Sequence, residues 1–252
     1  MVKILLVDIE TAPHRVYAWG LWDQDIFLDQ IEEAGYTLCW AAKWLGKPGI
    51  MFDSIRKSGK RKMLAGIHAL LEEADILIHY NGMKFDLPTL NQEFAKNGFA
   101  PPAPSQQIDL LQTARGRFKL ASNKLDYVAQ YLGVGKKFQH KGMSLWRGCM
   151  EGDAASWRTM ERYNKQDVTL LEDVYFVLRP WVPNHPNLAL FSADDKPTCT
   201  ACGSTRLQSR GVQPTLTMTY RRFQCKDCGT WVRQRQTSLS KEKRKVVMRG
   251  VV

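Results

Sequence analysis

The chain has 252 residues, 44% of them apolar and 24% charged, which suits a folded protein with a real core and excludes a mainly disordered or fibrous one. Lys and Arg outnumber Asp and Glu by 36 to 25, and the net charge of +11 points to a polyanionic partner, nucleic acid above all. The excess is concentrated, because residues 191–252 hold 13 Lys/Arg against 4 Asp/Glu, a net +9, and leave +2 for residues 1–190. The apolar run Ile4–Val7 is too short for an export signal and runs into Asp8 and Glu10. No uncharged apolar stretch is long enough to span a bilayer, so no membrane partner and a cytoplasmic location are expected.

Val2–Val7 reads as a short buried strand, followed by a stretch rich in Trp and Tyr from Ala12 to Gln30 that has no clear period. Trp19 and Trp22 in that stretch are expected to pack, although either could stack on a base. Thr37–Leu45 and Ile50–Asp53 are predicted strands around the turn Gly46-Lys47-Pro48-Gly49. Lys62–Ala74 is a predicted helix with Met63, Ile67, Leu70 and Leu71 on one face, and Asp75–Tyr80 a strand closed by Asn81-Gly82. A helix follows with Asp86 as its N-cap and Asn97-Gly98 at its end. Gln107–Leu111 is a fifth strand, Lys124–Leu132 a helix stopped by Gly133, and Asp153–Leu178 a long helix ending at Pro180.

Pro180, Pro183 and Pro186 then repeat at threes, and the segment as far as Pro197 reads as an extended connection. The expected organisation is a mixed α/β body over residues 1–180 and a linker over 181–197. A small β module over 198–236 and a basic tail over 237–252 complete it.

Asp8 and Glu10 stand where the first strand is predicted to end, and residues two apart on a strand face the same side. Asp23/Asp25, Glu73/Asp75 and Glu151/Asp153 share that spacing, so context decides: the first pair alone terminates a hydrophobic strand, where open α/β sheets bind ligands. Asp86 follows another apolar strand, and Tyr163 and Asp167 share a helical face at i and i+4. Converging carboxylates repel unless cations neutralise them, and an all-oxygen ligand set selects hard ions such as Mg²⁺ or Mn²⁺. Two such ions suit in-line phosphodiester hydrolysis.

Asp8-x-Glu10, Asn81-x-x-x-Phe85-Asp86 and Tyr163-x-x-x-Asp167, in this order on these elements, resemble the three motifs of the DEDD superfamily, the DnaQ-like, ribonuclease H-fold 3′–5′ exonucleases. The resemblance covers about residues 1–180 and implies a ribonuclease H-like mixed central sheet flanked by helices. The histidine branch carries its His five residues before the last Asp, where this chain has Arg162, and Tyr163 matches the tyrosine branch. The resemblance further implies that Asp8, Glu10 and Asp167 hold one ion and that Asp8 bridges to a second supported by Asp86. Tyr163 would orient or help deprotonate the attacking water. Thr11, Asn81 and Phe85 would lie beside the terminal nucleotide, and Lys124, in Ser122-Asn123-Lys124-Leu125, would meet a phosphate; Asp109 is a further candidate. The five histidines are read as structural or surface residues.

Cys199, Cys202, Cys225 and Cys228 form two Cys-x-x-Cys-Gly pairs whose four thiolates suit one tetrahedral Zn²⁺, so the C-terminal module resembles a zinc ribbon. Arg206–Arg210 and Thr215–Gln224 are its expected strands. Arg221 and Arg222, with Arg233 and Arg235, interleave with Tyr220, Phe223 and Trp231, a pattern that suits phosphate tracking and base stacking. Lys241–Lys245 reads as a flexible basic tail.

These readings converge on a metal-dependent 3′–5′ exonuclease whose zinc ribbon aids binding of nucleic acid with a 3′ end, single-stranded DNA in preference. A 3′–5′ exoribonuclease is the alternative, and a non-catalytic nucleic-acid-binding or replication-accessory protein on the same fold is a second. Protein partners are not indicated.

Overall fold

A computed structural model describes residues 2–192 and 196–251, and residues 193–195 of the expected linker lie outside the described residues. Lys3–Tyr175 form one compact unit; a second holds the chain from Phe176 onward together with Val2.

The strands of the first unit are β1 (Ile4–Thr11), β2 (Arg15–Val16), β3 (Ile31–Glu33), β4 (Thr37–Trp44), β5 (Met51–Ser54), β6 (Ile76–His79) and β7 (Gln106–Asp109). Five of them form a sheet in the order β5-β4-β1-β6-β7. β5, β4 and β1 are antiparallel, whereas β1, β6 and β7 run parallel. The helices are α1 (Ile55–Ser58), α2 (Lys60–Glu73), α3 (Asp86–Lys96), α4 (Leu110–Arg117), α5 (Leu125–Tyr131), α6 (Met143–Met150) and α7 (Ala154–Leu178). This is the mixed, ribonuclease H-like α/β architecture expected from the sequence.

Alternation along β1 sorts its side chains. Leu5, Val7 and Ile9 pack with Trp40, Met63, Leu64, Ile67, Leu90 and Phe94 in one core. Asp8 and Glu10, out of phase with those three, therefore face the other side of the sheet. Trp40 fixes α2 against the sheet by donating from Nε1 to the Met63 carbonyl at 2.8 Å. At Gly82 a Cβ would come within 2.5 Å of the His79 ring, so only glycine lets the turn after β6 close.

Several elements differ from expectation. β1 continues through Asp8-Ile9-Glu10 to Thr11, so the carboxylates lie within the strand. Asp86 is the first helical residue of α3, with Phe85 as the N-cap. β7 stops at Asp109, whose side chain caps α4 by accepting from Leu111 N at 3.0 Å. The aromatics of the 12–30 stretch do not pack: Trp19 is 98% exposed and Trp22 83%. That stretch is an arm whose base is the β2–β3 hairpin, tied by Arg15–Glu33 and Tyr17–Glu32 contacts.

In the second unit, β8 (Leu207–Pro214), β9 (Thr219–Cys225) and β10 (Trp231–Arg233) form an antiparallel sheet in the order β10-β9-β8. Within the proline-containing stretch, Arg179–Trp181 and Leu188–Phe191 are 3-10 turns rather than extended chain. The residues read as a flexible tail form a helix, α8 (Lys241–Val246), capped by Ser240 Oγ accepting from Lys243 N at 3.1 Å. Among the described residues no helix is long and apolar enough to cross a membrane.

Candidate active site and metal centres

Pairing between β1 and β6 ends at Leu6, so Asp8 and Glu10 stand past the parallel half of the sheet with only β4 alongside, opposite Ala41 and Cys39. The backbone N–H of Ile9, left beyond that last pairing, donates to Asp86 Oδ1 at 3.1 Å. From α7, Asp167 reaches the same place and is almost fully buried. One carboxylate oxygen from each of Asp8, Glu10 and Asp167 lies within 4.8 Å of the others. Asp86 borders this group through Ile9 and is not among the three.

Burial raises the pKa of all four carboxyls, and repulsion from the neighbouring acids adds to it at Asp8 and Glu10. Asp8 is held well above the ordinary carboxylate range by burial, then by Glu10, Asp86 and Asp167. Glu10 is pushed up to about 8, by burial first and Asp167 next, and Asp86 to about 6 by burial. Asp167 is raised by burial against the lowering pull of Lys137. Such a set calls for cations. Asp167 Oδ1 is buried with no hydrogen-bond partner, and the donors are all hard oxygens, so these residues fit Mg²⁺ or Mn²⁺.

Three neighbours of the acids were not singled out from sequence. Lys137, in the loop between α5 and α6, places Nζ 2.6 Å from Asp167 Oδ2 and donates to the Tyr163 hydroxyl at 3.1 Å. Asn164, fully buried on α7, donates from Nδ2 to Asp8 Oδ2 at 2.7 Å. Trp146, on α6, lies near enough to Glu10 to lower its pKa against the effect of burial. Tyr163 packs among His140, at 4.8 Å between ring centroids, and Trp146, at 6.1 Å. His140 is therefore beside the acids in space although distant in sequence. Burial, then Asp167 and Glu10, raise the Tyr163 phenol, so it keeps its proton at neutral pH and serves as a donor. Arg162, one residue before Tyr163, stacks on Phe138 at 4.6 Å.

Thr11 ends β1, and Phe85 caps α3 with its ring partly exposed. Asn81 has a left-handed φ of 71°, and its N–H donates to Asp109 Oδ1 at 2.9 Å, so Asp109 anchors the turn. His79 is structural: burial lowers its pKa, Nδ1 accepts from Gly82 N and the neutral ring then donates from Nε2 to Gln107. Lys124 is exposed at the start of α5.

In the second unit, the Sγ atoms of Cys199, Cys202, Cys225 and Cys228 lie within 4.8 Å of one another, with Cys199–Cys228 at 3.5 Å and Cys202–Cys225 at 3.6 Å. Sulfurs at about 2.3 Å from a tetrahedral zinc stand roughly 3.8 Å apart, so the cluster fits that ion. Gly203 and Gly229 have φ of 73° and 78° and close equivalent turns onto the Cys199 and Cys225 carbonyls. Burial works to raise the Cys228 thiol, but hydrogen bonding with Thr230 and the neighbouring thiols brings it down to about 7. On β9, Arg221 is exposed, whereas Arg222 lies over the Trp231 ring at 4.8 Å and Arg233 over Tyr220 at 4.0 Å. One face of the Trp231 ring and one of the Tyr220 ring are thus covered by an arginine.

A family model described as RNase H superfamily matches residues 44–179, a span that contains Asp86, Tyr163 and Asp167 and begins after Asp8 and Glu10. Among solved structures, the family B DNA polymerase from the hyperthermophilic archaeon Pyrobaculum calidifontis is similar in fold, with a TM-score of 0.53 at 20% identity. The similarity covers 71% of this chain and 25% of the polymerase, so the chain spans about a quarter of that protein's length. No curated protein matches the sequence.

Proposed function

The chain belongs to the RNase H superfamily, and on that premise we propose that it is a metal-dependent 3′–5′ exonuclease of the tyrosine branch, removing nucleotides from the 3′ end of DNA. The observation that carries this reading is the meeting of Asp8, Glu10 and Asp167 oxygens within 4.8 Å, on one face of the sheet and beside Tyr163. Asp8, Glu10 and Asp167 would hold the catalytic ions, with Asp86 in support. When bound, Mg²⁺ or Mn²⁺ ions supply charge neutralisation at the scissile phosphate and a more acidic water.

The chain's own residues do the positioning. Asn164 holds the Asp8 carboxylate in place by donating to its Oδ2. Tyr163, whose phenol stays protonated, orients the attacking water and does not take its proton. Lys137 keeps Asp167 and the Tyr163 hydroxyl in register. Thr11, Asn81 and Phe85 would border the terminal nucleotide. In the second unit the four cysteines would hold a structural zinc, which supplies folding energy to a module whose buried cluster is Cys199, Ala201 and Cys225. Its net positive segment, with Arg221 foremost, would raise affinity for the nucleic-acid backbone.

Digestion of end-labelled DNA and RNA oligonucleotides, single- and double-stranded, with Mg²⁺, Mn²⁺ or EDTA, tests the reading in one gel. A 3′-to-5′ ladder that needs the metal and vanishes in Asp8→Ala, while binding persists, is expected. Digestion that survives Asp8→Ala would place the chemistry elsewhere. Faster cleavage of RNA than of matched DNA would make the chain an exoribonuclease.

A further inference from the structure

Residues 1–190 carry a net charge of only +2, yet Arg56, Lys57, Lys60, Arg61 and Lys62 fall within seven residues that hold no acid. Lys60 is paired with Glu93 at 2.8 Å, and Arg61 donates to the Asn97 carbonyl at 2.9 Å. Arg56 and Lys57, both exposed on α1, instead line a cleft of about 320 Å³ whose other wall is the first part of α7, with exposed Arg158. None of these three makes an ion pair within 4.0 Å among the described residues; Arg56 donates to the Gly152 carbonyl, and Lys57 to the Phe52 carbonyl at 3.3 Å. The carboxylate in the cleft, Glu161, is already paired with Lys165 Nζ at 2.5 Å. Asp153, before α7, feels Arg158 but accepts its hydrogen bonds from Ala155 and Ser156. Three cations thus share one recess, and walls of one sign focus the field on what enters it. Phe52 and Trp157 also line it, but they are 8% and 6% exposed, so neither offers a ring face to a base.

The cleft lies apart from the acid group, and none of the four acids lines it. Trp157, Arg158 and Glu161 share one face of α7 through their spacing, whereas Tyr163, Asn164 and Asp167 point roughly a third of a turn away. Arg158 stands nine residues before Asp167, roughly 13 Å along the helix axis. We propose that Arg56, Lys57 and Arg158 form an exosite for the sugar-phosphate backbone of a nucleic-acid strand, gripping it away from its 3′ end and without regard to sequence. Each guanidinium can take two phosphate oxygens at once, and Lys57 acts as a point charge. The donors come from two elements and all three are exposed, which suits an extended polyanion better than a single enclosed anion. The choice of ligand rests on the nuclease reading above, and the exosite adds to it a contact remote from the chemistry.

The test uses the full zinc-loaded chain without added Mg²⁺ or Mn²⁺, and a labelled oligodeoxythymidylate blocked at its 3′ end, titrated by fluorescence anisotropy across a salt series. Wild type is compared with the triple variant Arg56→Gln, Lys57→Gln, Arg158→Gln and with a control triple, Lys47→Gln, Lys62→Gln, Lys96→Gln. The control removes the same charge from exposed lysines of the first unit that do not line the cleft. The cleft triple should weaken binding by about tenfold or more and lower the slope of log affinity against log salt by about 2, for three phosphate contacts on a single strand. Arg158→Gln alone, which gives up no hydrogen bond or ion pair within the described residues, keeps the test open should the triple variant fold poorly; its slope should fall by about 0.7. Unchanged affinity and slope in the cleft variants, or equal losses in the control triple, would overturn the exosite. Calorimetry with inorganic phosphate separates the other source of the same chemistry: phosphate binding that the cleft triple loses, with oligonucleotide affinity intact, would make the recess a free-anion site and overturn the strand assignment. The titrations need no turnover, so an inactive wild type would sink the exonuclease reading and still leave them to decide the exosite.

Discussion

Lys137 Nζ lies 2.6 Å from Asp167 Oδ2, a pairing between a loop residue and a helix residue that gives the acid group an internal cation. Burial works to lower the Lys137 pKa, but Asp167, Tyr163 and Asp8 raise it, so it stays charged. Lys137→Met should therefore leave Asp167 buried and unpaired, at a cost on the order of 1–3 kcal/mol. It should also lower kcat, because Tyr163 loses a donor. Thermal melts in EDTA read the first effect and steady-state kinetics the second. A variant as stable and active as wild type would remove Lys137 from the site.

The raised carboxyls fix the sign of a pH dependence. Glu10 at about 8 and Asp86 at about 6 bind protons in the folded protein that an unfolded chain, with carboxyls near about 4, has already released. The folded state then holds more protons over that window, and its stability falls as pH rises through it. His79, lowered by burial, acts oppositely as pH falls below about 6.5, so the comparison is made against Glu10→Gln. In EDTA, wild-type Tm should decline more steeply than the variant's between about pH 5 and about pH 8, and Mg²⁺ should flatten the difference by favouring ionised carboxylates. Parallel Tm curves would show that Glu10 is not strained by its surroundings.

Because its phenol is raised by burial and two acids, Tyr163 donates at neutral pH. Tyr163→Phe should cut kcat by about 100-fold with little change in KM, the scale for losing one positioned donor. The alkaline limb of the pH–rate profile should remain where wild type has it. A limb that disappears with the hydroxyl would make Tyr163 the base after all.

Much of the acid group was legible because strand and helix periodicity report facing directly. Asp8 and Glu10 share a side through their spacing of two, and Tyr163 and Asp167 through their spacing of four. The loop from Gly133 to Gly142 has no such period: glycines with φ of 69°, 151° and 60° turn it repeatedly, so Lys137 looks like any surface lysine and His140 like any surface histidine. Asn164 sat inside a recognised motif, but its role depends on the approach of α7 to β1, a relation no local pattern encodes. The length of β1 was underestimated for a related reason. Charged residues read as a strand's end, whereas pairing with β4 carries the strand through Asp8 and Glu10 to Thr11.

Removing metal from the cysteine cluster should separate the two units. The second unit's buried cluster is Cys199, Ala201 and Cys225, too small to hold a fold alone. Cys199→Ser, or a zinc chelator, should expose β8–β10 to rapid hydrogen exchange while β1, β4 and β6 stay protected. Mass spectrometry of the native protein should count one zinc. Protection in the ribbon that survives zinc loss would show that side-chain packing suffices there.

The aromatic arm makes the opposite prediction for stability. Trp19 and Trp22 are 98% and 83% exposed, so replacing them removes almost no buried area. Trp19→Ala with Trp22→Ala should leave the unfolding free energy within about 0.5 kcal/mol of wild type, as for surface positions generally. Burial of either indole would instead cost about 3–5 kcal/mol on truncation to alanine, a difference that chemical denaturation resolves easily. Intrinsic fluorescence gives an independent reading, since removing two solvent-exposed indoles should shift the remaining emission to shorter wavelength. A loss of several kcal/mol, or an emission that moves to longer wavelength, would mean that the arm folds back onto a core.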